Sequence, residues 1–142
     1  MTASELDVWL ADFEEIWLED FEFIPKPGEW PDVVCLCATE LRTGRIIRLR
    51  RDEMGKPPPY RTDARVLFVC FAANAECACH LALGWPLPEK IYDLSPVFRC
   101  YVNGRVPPES KGLLGALAYF GVDSIGAKRK DSMRKRIIGM AV

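Results

Sequence analysis

The 142-residue chain lacks several of the features that usually betray a function. It has a single histidine, His80, and no C-x-x-C pair, so the usual zinc spacings are missing. "GLLGALAYFG" (112–121) carries no Walker lysine and reads as a helix, which excludes a phosphate-cradling loop of that type. No apolar run approaches the ~20 residues needed to span a bilayer. The start, "MTASELDVWLADFEE", is acidic, with neither a basic leader region nor an apolar one. Six cysteines without a secretory signal predict reduced thiols and a cytoplasmic setting, with no membrane partner. Internal repeats and low-complexity tracts are also missing. The length suits one domain, 1–142, large enough for a true core.

What is present is an uneven charge distribution. Residues 1–32 hold ten acids and one base, a net −9, and the remaining 110 hold eighteen bases and ten acids, a net +8. The basic runs "KRK" (128–130) and "RKR" (134–136) lie near the end. Either the two layers neutralise each other as solvated faces, or the acids serve a cation and the bases a polyanion.

The pattern along the chain predicts an α/β domain. Residues 4–15 read as a short helix capped by Ser4 or as an irregular lead-in, and 16–23 as a strand. Segments 33–41 and 45–52 flank "RTG" and read as a hairpin. "ARVLFVCFAA" (64–73) is almost continuously apolar, as expected of a central strand covered on both faces. A helix over 74–84 closes at Gly84, and 90–94 reads as a short strand. Three helices follow: one opening at Ser95-Pro96, one over 110–121 with Leu113, Leu117 and Phe120 on one face, and one over roughly 124–138. The sheet should start antiparallel and finish with a parallel addition.

"IWLEDFEFI" (16–24) is the anomaly: a bulky strand interrupted by carboxylates. Side chains alternate, so Asp20 and Glu22 share a face with Ile16 and Leu18, roughly 7 Å apart along the strand. Trp17, Glu19, Phe21 and Phe23 take the other face. Two carboxylates on one face repel unless a hard cation such as magnesium or manganese neutralises them, or unless that face is simply wet. Glu76 follows the central strand at a helix start, where open α/β sheets collect ligand-binding groups; a first-turn acid favoured by the helix dipole is the plainer alternative. The cysteines read as core thiols, His80 as a packed helix residue and Trp85 as a core plug.

Three segments, "LEDFEFIPKPGEWPDVVCLCATELRTGR", "NAECACHLALGWPLPEKIYDLSPVFR" and "GLLGALAYFGVDSIGAKRKDSMRKRI", resemble the 3′–5′ exonuclease (proofreading-type) domain of family A DNA polymerases. The resemblance spans about residues 14–136 and implies a ribonuclease H-like, DEDD exonuclease-type mixed sheet flanked by helices. It places the first exonuclease motif on Asp20 and Glu22 and the second on Asn74 and Glu76. In that family such acids hold two divalent ions, Mg2+ or Mn2+, that activate water and stabilise the leaving 3′ oxygen of a phosphodiester. The implied substrate is the 3′ end of single-stranded DNA. Asp93 matches an aspartate expected to be structural or helix-capping. The third motif, a Tyr or His followed by Asp on one helix, is not found before the chain stops at "IGMAV"; Asp123 and Asp131 have the wrong context. The expectation is therefore a C-terminally incomplete domain, catalytically crippled by itself and associated with a missing C-terminal or polymerase segment. Apolar surface around Ile16, Leu18 and 64–73 should then lack cover. The rival expectations are a non-catalytic ribonuclease H-like module that binds nucleic acid or protein, and an unrelated α/β protein with a chance D-x-E.

Overall fold

The computed structural model describes residues 2–107 and 110–140. Five strands form one sheet in the order β3-β2-β1-β4-β5. They are β1 (Glu15–Ile24), β2 (Asp32–Glu40), β3 (Ile46–Arg50), β4 (Val66–Cys70) and β5 (Ile91–Asp93). The first three pair antiparallel, whereas β4 joins β1 and β5 joins β4 in parallel, as the pattern predicted. The helices are α1 (Ala3–Leu10), α2 (Ala73–Leu83), α3 (Leu94–Tyr101), α4 (Leu113–Tyr119) and α5 (Ala127–Gly139). None of the described helices is long and apolar enough to cross a membrane.

One sheet face carries the main core. Trp17, Phe21, Leu36, Ala38, Val66 and Phe68 meet Tyr60, Cys79 and Trp85, all buried. Trp17 is fully buried, a position where truncation to Ala commonly costs ~3–5 kcal/mol. The helix α2 lies on this face and ends at Gly84, whose φ of 65° supplies the left-handed cap.

The opposite face corrects an expectation. Ile16, Leu67 and the core-facing residues of β4 are covered, each at most 2% exposed for Ile16, Val66, Leu67 and Phe68; only Leu18 stays open, at 40%. The N-terminal segment lies beside this surface near Leu67. Thr2, rather than Ser4, caps α1 through a capping box with Glu5, which starts the helix early enough for Trp9 to reach the Tyr92 ring at 5.3 Å. Trp9 and Phe13 border the surface over Leu67 and Ile91. A second correction concerns α4. Its buried residues are Gly115 and Ala116, of which Ala116 packs with Phe98 and Val102, while Leu113 and Phe120 are exposed. A Cβ at Gly115 would run into the Ser110 backbone, so glycine is needed where the chain enters α4.

Glu40 holds the β2–β3 hairpin to β1. Its carboxylate accepts hydrogen bonds from the Ile16, Arg42 and Thr43 amides and from the Thr43 hydroxyl. Burial alone would push this acid up; the four donors outweigh burial and hold it at about 2. Its stabilisation is therefore present above the ordinary glutamate range and lost as pH falls toward 2. Glu40→Ala is expected to cost about 2–4 kcal/mol at neutral pH, because buried amides lose a charged acceptor. Urea unfolding at neutral and acidic pH checks this: the gap between wild type and variant should close on acidification.

Candidate metal site on the acidic strand

The site arises where β4 stops. The parallel register with β1 ends at Leu18 opposite Val69, and the chain leaves Cys70 for α2. The turn passes through Ala72, whose φ of 83° lies in the left-handed region, unusual for a residue with a Cβ. The Asp93 carboxylate secures it, accepting from the Ala72, Ala73 and Ser95 amides. Burial opposes ionisation of Asp93, but these donors win and hold its carboxyl below the usual range. Asp93 is thus the capping acid expected from the sequence; it also replaces Ser95 as the N-cap of α3.

Beyond Leu18 the β4 side of β1 has no strand to pair with. Glu76, in the first turn of α2, fills that gap: its Oε2 accepts from the Phe21 amide at 3.1 Å. Glu76 therefore lies against the peptide between Asp20 and Phe21. Asp20 and Glu22 project from the other sheet face, opposite Cys37 and Cys35 of β2. Glu76 thus lies near enough to Asp20 and Glu22 to feel both charges, although they leave the sheet on the other face. Two features differ from an open acid cleft. Glu76 is buried, 6% exposed, and Glu22 is engaged by Arg134 of α5, with Nε 3.2 Å from its Oε2. Asn74 is exposed.

The electrostatics follow from this crowding. Burial, then the charges of Glu19 and Asp20, push the Glu76 carboxyl up to about 9, so it is neutral at pH 7. Asp20 is exposed on its sheet face, yet partial desolvation by the surrounding chain raises its carboxyl, opposed by Lys130 and Arg134. Burial and the neighbouring Asp20 raise Glu22, again opposed by Arg134 and Lys130. An all-oxygen donor set with excess negative charge fits a hard divalent cation. Among the described residues, however, no group of three or more His, Cys, Asp or Glu is already arranged to hold one.

A buried polar cluster beside the site was missed in the sequence. Glu19 points into the core, where the Tyr60 hydroxyl donates to it and His80 Nε2 lies 3.3 Å away. His80 is fully buried, and its Nδ1 is 2.9 Å from the Pro86 carbonyl, which can only accept. Nδ1 therefore carries a proton. The Tyr60 hydroxyl also lies 3.2 Å from His80 Nε2, so it bridges the imidazole and the Glu19 carboxylate. The signal was available: Glu19 is in phase with Trp17 and Phe21. The reading of His80 and Trp85 as packed residues agrees with the structure. Cys70 and Cys79 are core thiols that burial raises to about 12, whereas Cys37 and Cys100 are exposed; all six cysteines are free.

No protein-family model matches the sequence, and no curated protein matches it. Solved structures do. Escherichia coli RNase D, an exoribonuclease involved in structured RNA processing, superposes with a TM-score of 0.56 at 15% identity over 89% of this chain. The chain spans 33% of the length of RNase D. The Aedes aegypti Nibbler EXO domain superposes with a TM-score of 0.55 at 10% identity, covering 89% of this chain and 69% of that one. The five-stranded mixed sheet flanked by helices is the ribonuclease H-like α/β fold of these exonuclease domains.

Proposed function

We propose that this domain is a metal-dependent 3′–5′ exonuclease-like module that takes the 3′ ends of nucleic acid, with Asp20, Glu22 and Glu76 as ligands for Mg2+ or Mn2+. The observation that carries the reading is the Glu76 hydrogen bond to the Phe21 amide, which sets a third acid against the D-x-E strand just past the end of β4. This is the end of a parallel strand pair, where α/β sheets bind ligands. A divalent ion here would supply positive charge at a phosphodiester and make water a better nucleophile. The chain's own part is to hold the acids in place: Asp93 fixes the turn that aims α2, and α2 aims Glu76. Single-stranded DNA as substrate, and a polymerase or other C-terminal segment as partner, rest on the sequence resemblance. The six free thiols suit a reducing compartment such as the cytoplasm.

A second reading, a non-catalytic ribonuclease H-like module binding nucleic acid or protein, draws on the neutral Glu76 and the Arg134–Glu22 pair. These same features lead us to expect weak metal binding and no measurable 3′ trimming by residues 1–142 alone. A manganese titration with 3′-labelled single-stranded DNA and RNA separates the readings. Manganese binding by wild type, lost in Asp20→Asn, supports the metal site. Identical manganese binding by both proteins would reject it and leave the binding module. Metal-dependent trimming lost in Asp20→Asn would instead show a complete active site within these residues.

A further inference from the structure

The helix α5 is unusually basic. Of its 13 residues, Lys128, Arg129, Lys130, Arg134, Lys135 and Arg136 are cationic and Asp131 alone is acidic. Its faces differ. Lys130, Ile137 and Ile138 are half-buried, and Arg134, in phase with them, reaches Glu22; Lys128, Arg129, Lys135 and Arg136 are exposed. The inner face therefore lies against β1, with Arg134 on Glu22 and Ile137 beside Val34 and Cys35 of β2. Arg134 Nε stands 3.2 Å from Glu22 Oε2, and Lys130, one turn earlier, is close enough to act on both Asp20 and Glu22.

Two carboxylates two residues apart on a strand face repel, and a positive charge close by relieves that repulsion. In this conformation α5 provides it from within the chain. A guanidinium and a divalent ion cannot both take the same carboxylate oxygen. We propose that α5 is a built-in cation cover: Arg134 and Lys130 occupy the place of the metal on Asp20 and Glu22, and metal binding requires α5 to withdraw. The inference rests on the acidic strand being the metal site and adds its control. Linkage makes the exclusion reciprocal: whatever weakens α5 docking tightens the metal, and metal loosens α5. A released α5 should also lose order, because an isolated helix of this length is marginal in water.

The test measures manganese binding by calorimetry for wild type, Arg134→Gln, Lys130→Gln/Arg134→Gln and Asp20→Asn, with amide hydrogen exchange of residues 127–139 followed with and without metal. Removing a half-exposed ion pair should tighten manganese roughly three- to tenfold in Arg134→Gln, and further in the double variant. Saturating metal should accelerate exchange across α5 in wild type and leave it unchanged in Asp20→Asn. If Asp20→Asn weakens manganese but Arg134→Gln does not tighten it, the cover is overturned and the metal site stands. If metal binds and α5 exchange does not change, the withdrawal of α5 is overturned. If Asp20→Asn leaves manganese binding unaltered, the metal site falls and the cover with it.

Discussion

Glu76→Gln should flatten the pH dependence of stability. The Glu76 carboxyl is raised from its ordinary 4.5 to about 9 in the fold. An acid raised in this way favours the native state while protonated. Its contribution is full below 4.5 and is lost progressively as pH rises toward about 9, because the unfolded chain releases the proton more readily. At pH 8 this should cost wild type on the order of 3 kcal/mol, given about 1.4 kcal/mol per pKa unit and some relaxation around the site. Gln keeps a carbonyl oxygen to accept from the Phe21 amide and cannot ionise. The variant should therefore match wild type near pH 4 and exceed it by a few kcal/mol in mildly alkaline solution. Urea denaturation across that range is the measurement; parallel curves for the two proteins would mean that Glu76 is not held neutral by its surroundings.

The same reasoning makes Glu76 costly to keep unless it serves something. Replacing it with a neutral acceptor is expected to stabilise the protein, yet the chain retains an acid next to Glu19, Asp20 and Glu22. Buried like charges of this kind gather at functional sites. Glu76→Gln should accordingly gain stability and lose manganese affinity in one step, a trade that a purely structural acid would not show.

The largest loss is expected from Glu19→Ala. Removing this carboxylate takes its charged acceptor from the Tyr60 hydroxyl and leaves that hydroxyl only His80 Nε2, 3.2 Å away, in the core. Breaking a buried hydrogen-bonded group of this type commonly costs ~3–5 kcal/mol. Glu19→Gln is the informative companion. Its amide oxygen can accept from Tyr60 while its NH2 donates to an unprotonated His80 Nε2, which keeps both contacts without a charge. Gln should therefore retain most of the stability that Ala loses. Equal losses in equilibrium unfolding would show that the cluster needs a full imidazolium–carboxylate charge pair. Because Glu19 adjoins Asp20, either variant also reports on whether the core cluster keeps the acidic strand in position.

Much of the architecture was legible before the structure because it depends on local rules. Bulky residues at period two marked β1, and the alternation alone put Asp20 and Glu22 on one face and Glu19 with Trp17 on the other. Arg42-Thr43-Gly44 marked the hairpin, and Gly44 at φ 71° meets its turn. Gly84 marked the end of α2. Boundaries set by neighbours were less legible. The apolar run 64–73 yields a strand of only Val66–Cys70, since the left-handed turn at Ala72 and the start of α2 use its last residues.

The residues of the proposed site were named from the sequence: Asp20 and Glu22 by strand spacing, Glu76 by its place at a helix start, and all three by the family resemblance. Their chemical states were decided only by tertiary structure. Where β4 stops relative to β1 determines that the Phe21 amide is free for Glu76, and that burial leaves this acid neutral. The docking of α5, far along the chain, determines that Glu22 faces Arg134. Alternation and turn chemistry are properties of neighbouring residues and survive in one dimension. Desolvation and charge pairing depend on groups brought close from distant segments, and no spacing along the chain encodes those distances.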